Sequence, residues 1–366
     1  MSRMYYKFIT LFSLFLSILI SSTRGMPSKR SVAVRGDSAV SFSVTGSNGV
    51  YPRATNINNG QILGIYTDFQ DDIQILTLVT SDNNGMSWKF RGTAARKPVR
   101  SGTLDNGYLL QLPTGRVLAA FRNHDIDSTG KFLVYRITIC SSDDNGASWV
   151  FLSDAVVVPA AATPNGVWEP YMRNAVDGSL QLYYSHERSV DDQDSVMITS
   201  HDEGKSWGEE KIISGSTERS SRDGMVGVAE LGGQNLIAVF ETKEPEGTFY
   251  LSTVTSMDDG ATWGNRQVLY KPPTGNNAGA PQIARVGNNL IVSFMTEEDN
   301  SIGNAASWIN VADAKFIISG DRGASWSKTT VFKQPAMWPG LLVLRDQKSF
   351  LYLAGVHGLL SQRFSL

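Results

Sequence analysis

The chain has 366 residues, with 33 Lys+Arg against 35 Asp+Glu and a net charge of −2. That balance excludes the clustered basic excess of a nucleic-acid binder. Charged residues make up 19% and hydrophobic ones 41%, which excludes a disordered chain. Aromatic residues at 10% with 34 glycines favour many short strands joined by tight turns.

The N-terminus reads as an address. Arg3 and Lys7 precede an uncharged apolar run over residues 8–20, and Ser21, Ser22 and Thr23 follow. This is the layout of a secretory signal peptide, and the run is too short for a membrane span of about 20 residues. We assign residues 1–25 to the signal peptide, 26–37 to a short pro or linker segment carrying the dibasic pair Lys29-Arg30, and 38–366 to one catalytic domain. The expected product is secreted, free of the membrane after cleavage, and monomeric. With a single cysteine, Cys140, no internal disulfide can form, so core burial and strand pairing must hold the fold. Cys140 sits in an apolar stretch and reads as a buried small hydrophobe.

An octapeptide then organises the chain: S-x-D-x-G-x-[ST]-W. It occurs at Ser142–Trp149, Ser200–Trp207, Ser256–Trp263 and Ser319–Trp326, and a first copy at Ser81–Trp88 has Asn83 in the Asp place. The five tryptophans are spaced 61, 58, 56 and 63 residues apart. The chemistry is that of a turn: Asp accepts backbone N–H groups, Gly takes a positive φ, and Trp plugs the turn against the sheet. These octapeptides resemble Asp-boxes, the repeats of sialidase-like β-propellers.

Each repeat reads as four strands, A to D, with the octapeptide between C and D. In the fourth, A covers 225–231, B 235–241 and C 249–256; in the second, A covers 108–112 and B 116–122. After the fifth octapeptide only three strands remain, and residues 39–44 can supply the fourth. The predicted fold is all-β: a six-bladed β-propeller of four-stranded antiparallel blades, closed by the N-terminal segment. Octapeptides and A–B turns share one face. The D–A and B–C connections share the other, where a site belongs.

On that face blade one offers Arg53 and Asp68; blade two Asp105, Asn106, Arg122, His124 and Asp125; blade three Trp168, Glu169, His186 and Glu187. Blade four offers Arg222, Asp223, Glu241 and Glu244, blade five Gln282, Glu297 and Glu298, and blade six Trp338 and His357. Carboxylates, aromatic faces and polar forks are what a sugar site needs. Glu169 opens an A strand in an aromatic context and Glu241 closes a strongly apolar B strand, so both read as desolvated acids. Glycoside hydrolysis needs two such carboxyls, about 5–5.5 Å apart for retention and about 6.5–9.5 Å for inversion. His124, His186, His201 and His357 show no ligand spacing, so neither metal nor cofactor is expected.

Two families compete. Sialidases grip a carboxylated sugar with three arginines and use a tyrosine nucleophile paired with a glutamate. Here blade five starts Gly279-Ala280-Pro281-Gln282 and blade six Trp338-Pro339-Gly340, without the Arg or Tyr that pattern needs. Tyr51-Pro52-Arg53-Ala54, Phe121-Arg122-Asn123-His124-Asp125, Val167-Trp168-Glu169-Pro170-Tyr171, Arg222-Asp223-Gly224-Met225 and Val239-Phe240-Glu241-Thr242 resemble instead the fungal exo-α-1,5-L-arabinanases of glycoside hydrolase family 93. The resemblance implies release of arabinobiose from linear arabinan with retention. It places the catalytic pair on Glu169, as nucleophile, and Glu241, as acid/base; the residues themselves allow the reverse order. Arg53, Asp105, Asn106, Arg122, His124, Trp168, Asp223, Gln282 and Trp338 are the substrate-binding candidates. A non-catalytic carbohydrate-binding propeller is the alternative of a different class.

Overall fold

The computed structural model describes residues 32–44, 49–162, 164–215, 220–273, 275–300, 307–355 and 358–366. The signal-peptide segment, the Lys29-Arg30 pair and His357 lie outside the described residues. Six four-stranded antiparallel sheets form the ring of a six-bladed β-propeller, as the repeat predicts. The only helices among the described residues are two single 3₁₀ turns, Val99–Ser101 and Trp308–Val311, and no helix is long and apolar enough to cross a membrane.

The N-terminal segment closes the ring. Val40 and Ser41 pair with Ser361 and Leu360 on the last strand, Leu359–Ser365. Pairing starts earlier than residues 39–44 require: Arg35 and Gly36 already sit opposite Ser365 and Phe364. Two backbone bonds, Asp37 N–H to Arg363 O (2.9 Å) and Phe42 N–H to Leu359 O (2.8 Å), extend the two pairings.

The blades meet along six apolar seams. Trp88, Trp149, Trp207, Trp263 and Trp326 pack into the seams between blades six and one, one and two, two and three, three and four, and four and five. Blade six carries no octapeptide, so the seam between blades five and six has no tryptophan plug. Phe316, Phe332, Phe350, Tyr352 and Phe364 fill it instead, with ring centroids 4.4 to 5.8 Å apart.

The octapeptides form one turn repeated five times. In the second, Asp144 Oδ1 accepts the N–H groups of Ala147 (3.0 Å) and Ser148 (2.9 Å), Ser148 Oγ donates to Oδ2 (2.6 Å), and Ser142 Oγ accepts the Gly146 N–H (2.8 Å). Asn83 copies the pattern with one bond reversed: its Nδ2 donates to Ser87 Oγ (2.9 Å). The residue before each turn glycine is also left-handed (Asn84, Asn145, Glu203, Asp259 and Arg322), which the sequence pattern did not indicate. These turns share a face with the A–B turns, as Arg116 on Asp143 (2.8 Å) shows.

The inner strands hold a second sixfold feature. Each A strand has one β-bulge near its start, and in each a non-glycine residue takes a positive φ: Tyr51 (56°), Asn106 (57°), Glu169 (47°), Met225 (53°), Ala280 (51°) and Trp338 (49°). In blade two the strand runs Gly102–Gln111, so Asp105 and Asn106 lie within it and not in the loop before it, where the predicted 108–112 strand would leave them.

The hydroxyls and backbone N–H groups of the turns hold Asp144, Asp202, Asp258 and Asp321 down at about 2. A folded-state pKa below the unfolded one gives stability that is complete above the ordinary carboxylate range and lost as pH falls toward about 2. Changing all four to Asn, as nature has it at Asn83, should flatten this acid loss, read as a smaller drop in urea midpoint between pH 5 and pH 2 than the parent shows.

Candidate active site

Convergence of six A strands makes a funnel on the face opposite the octapeptides. Four bulge residues, Tyr51, Met225, Ala280 and Trp338, pack in one cluster with Met295, Trp308, Ile309 and Met337. This is an apolar wall from blades four, five, six and one. The facing wall is polar: Asp105 accepts from Thr67 Oγ1 (2.6 Å) and Arg122 (3.3 Å), and Arg222 pairs with Glu187 (2.7 Å).

Glu169 and Glu241 lie between the walls, both partly buried. Glu169 Oε2 accepts from Ser185 Oγ (2.9 Å), which itself accepts the Met225 N–H (3.0 Å). Burial and then the Glu241 charge push Glu169 up to about 7, against the Ser185 bond and Arg122. Burial raises Glu241 too, while the Ala280 N–H on Oε2 (2.7 Å) and the Arg222 charge oppose it. A Cβ at position 279 would stand 2.5 Å from Glu241 Oε2 and 3.0 Å from the Trp308 ring, so Gly279 makes the room in which that carboxylate sits. Burial thus raises both carboxyls, and a glycosidase needs one of such a pair protonated while the other is ionised.

Of the substrate-binding candidates, Arg122 acts on Glu169 as a charge, Asp105 pairs with Arg122, Asn106 donates its N–H to Asp105, Trp168 directly precedes Glu169, and Trp338 belongs to the apolar wall. The Arg122 guanidinium lies over the Trp168 ring at 5.2 Å, and Arg122 Nε, Trp168 Nε1 and Asn106 Oδ1 have no partner among the described residues. Four candidates do not line the funnel. His124 is fully buried among Phe132, Tyr135 and Trp168. Burial lowers its pKa to about 3, and neutral Nε2–H donates to Val167 O (2.9 Å), a brace just before Trp168 and Glu169. Asp223 is fully buried and saturated by Ser214 Oγ (2.6 Å), Ser221 Oγ (3.0 Å), Thr242 Oγ1 (2.5 Å) and the Arg266 guanidinium, so no lone pair faces a ligand. Arg53, 3% exposed, lies against the Tyr51 ring (3.9 Å) and donates to Pro52 O (2.8 Å) and Trp338 O (3.0 Å), tying blade one to blade six. Gln282 lies below the bulge and lines an axial cavity of 680 Å³.

Sequence reasoning missed Trp308, Ser185, Tyr51 and the Ala280 N–H. A signal for Trp308 was present: of eight tryptophans, the three outside the octapeptides are Trp168, which precedes Glu169, Trp308, which meets Glu241 at Gly279, and Trp338, which shares the Trp308 cluster. Cys140 is buried and its thiol is pushed up to about 11. No group of metal-ligating side chains occurs among the described residues.

No protein-family model matches the sequence, and no curated protein matches it. Among solved structures the chain is similar to the family 93 α-L-arabinofuranosidase of Fusarium graminearum in complex with arabinobiose, with a TM-score of 0.69 and 19% identity over 90% of this chain and 97% of that one. It is similar to the α-L-arabinanase of Penicillium chrysogenum complexed with arabinobiose: TM-score 0.66, 20% identity, 90% of this chain and 98% of that one. A sialidase from Streptococcus pneumoniae shares the fold at TM-score 0.60 and 11% identity, over 89% of this chain and 70% of that one. These likenesses fix the architecture.

The carboxyl pair makes a testable electrostatic statement. Glu241→Gln removes the repelling charge and should lower the Glu169 pKa. Ser185→Ala removes a bond that favours the ionised form and should raise it. Carboxyl ¹³C titration of the two variants against the parent reads both shifts.

Proposed function

We propose that the protein is a secreted, monomeric glycoside hydrolase that acts from the chain end on linear α-1,5-L-arabinan and releases arabinobiose with retention. The observation that carries this reading is the coupled, desolvated pair Glu169 and Glu241 between an aromatic and a polar wall. One carboxyl protonates the leaving oxygen while the other attacks the anomeric carbon. Water then cleaves the glycosyl-enzyme as the first carboxylate takes its proton. The apolar wall suits the carbon face of a furanose, and Asp105, Arg122 and Asn106 suit its hydroxyls. The arabinobiose bound in two of the similar structures supports the product.

A sialoside fits this funnel poorly. The second residue after each bulge residue is Arg53, Tyr108, Tyr171, Gly227, Gln282 and Gly340 in blades one to six; Arg53 lies against Tyr51, and the two arginines of the polar wall, Arg122 and Arg222, are already paired with Asp105 and Glu187. The roles within the pair are drawn in two directions. The family resemblance makes Glu169 the nucleophile. The electrostatics raise Glu169 to about 7, which is compatible with the acid's role.

Debranched arabinan should yield arabinobiose, and sialyl conjugates should yield nothing. Sialic acid release without action on arabinan would sink the substrate assignment, and no release from either would favour a binding propeller. Glu169→Gln and Glu241→Gln should each cost roughly 10²–10⁴-fold in turnover with folding intact. Azide added to alanine variants assigns the roles: the nucleophile variant gives a glycosyl azide of inverted configuration, the acid/base variant the retained one.

A further inference from the structure

We propose that Trp308, on the short 3₁₀ turn Trp308–Val311, is a substrate-contacting and specificity-determining residue: a flat platform for the sugar bound at Glu241, held in place by a clamp on the buried Lys315. The inference rests on the glycosidase reading and adds a residue that reading did not contain.

Trp308 packs against Gly279, next to the Ala280 N–H that Glu241 accepts. Its ring lies 3.0 Å from the place a Cβ would take at Gly279, and Glu241 Oε2 lies 2.5 Å from the same point. Carboxylate and indole therefore share the pocket that the missing side chain leaves open. The indole is only partly buried, so one part of the ring stays available. Phe249 backs it at 6.4 Å in a tilted arrangement.

Residues 297–300, directly after the preceding strand, are all spent on tethers, and one of them reaches the turn that carries Trp308. Glu297 accepts the Asn277 backbone N–H (2.9 Å) and its Nδ2 (2.8 Å). Glu298 accepts Lys315 Nζ (2.7 Å) and Tyr270 OH (2.6 Å). Asp299 pairs with Lys315 at 2.5 Å, and Asn300 donates to Val311 O on the turn itself. Lys315 is 1% exposed. A buried charge costs desolvation unless its partners are fixed, and a buried ion pair is at least as much a device for fixing geometry as for adding stability. Glu297 and Glu298, which the sequence put on the rim of blade five, work here as anchors.

Geometry gives Trp308 two separable effects. A flat aromatic face stacks on the apolar face of a sugar ring, which a branched aliphatic cannot do. A bulky apolar group beside Glu241 excludes water and helps raise that carboxyl.

Three variants separate them. Trp308→Ala should raise KM for linear arabino-oligosaccharides about tenfold and move the Glu241 ¹³C titration acidward. Trp308→Leu should leave that titration near the parent's and still raise KM. Trp308→Phe should restore KM to within about threefold of the parent. Parental KM in both Trp308→Ala and Trp308→Leu overturns the platform, and an unmoved Glu241 titration in a folded Trp308→Ala overturns the wall. If the parent does not cleave arabinan at all, the substrate reading falls instead, and the titration still reports on Trp308.

Discussion

Six inner strands line one axis, and each carries the same local constraint: a bulge at which one residue turns left-handed and the register slips. The following residue is proline in four blades, Pro52, Pro170, Pro281 and Pro339, where a missing N–H leaves no ladder bond unmade. Gly340 shows how tight the axis is: a Cβ there would lie 2.5 Å from Pro52 O of the next blade. A non-glycine residue at positive φ costs free energy, and the surrounding sheet must over-determine it. Glu169 is thus held in a strained conformation by architecture, because the other five blades bear the same strain without a carboxylate.

The opposite face supplies the rigidity that permits this. Five tryptophan-plugged turns and one aromatic seam lock the blades where chemistry does not occur. Trp88 bonds Ser361 across the closure at 2.8 Å, and Asn56 Nδ2 bonds Val343 O at 2.8 Å, so blades one and six are joined by side chains as well as by the N-terminal segment. Loops on the funnel face can then vary in length and content without opening the ring.

Electrostatics follow from this rigidity. Burial raises both carboxyls, with a like charge added at Glu169, and opposing bonds hold each in place. Ser185 and Ala280 each supply one bond, and Arg122 and Arg222 stand off as charges. Behind them sit groups whose polarity is spent inward. His124 braces Val167, and Asp223 gathers Ser214, Ser221, Thr242 and Arg266 beside Glu241. They position the carboxylates from one layer further down.

That layering explains what could be read from the sequence. The octapeptide fixes its own turn through bonds within eight residues, so five copies and the three-strand remainder after them reveal blade number, strand order and the site's face without tertiary information. Glu169 and Glu241 stand out because an acid in an apolar strand conflicts locally with its surroundings. His124 and Asp223 sit at equally polar strand ends, and sequence cannot distinguish a polar group facing the axis from one facing the seam when a bulge shifts the alternation by one residue. The bulge leaves only a weak trace: Tyr-Pro, Glu-Pro, Ala-Pro and Trp-Pro at the starts of four A strands, with Asn-Gly and Met-Val in the other two. Trp308 has no periodic signal because its loop belongs to blade five alone. Its one mark is being a tryptophan that the repeat does not need, and the aromatics left over once a repeat has taken its share are the first residues to test for contact with ligand.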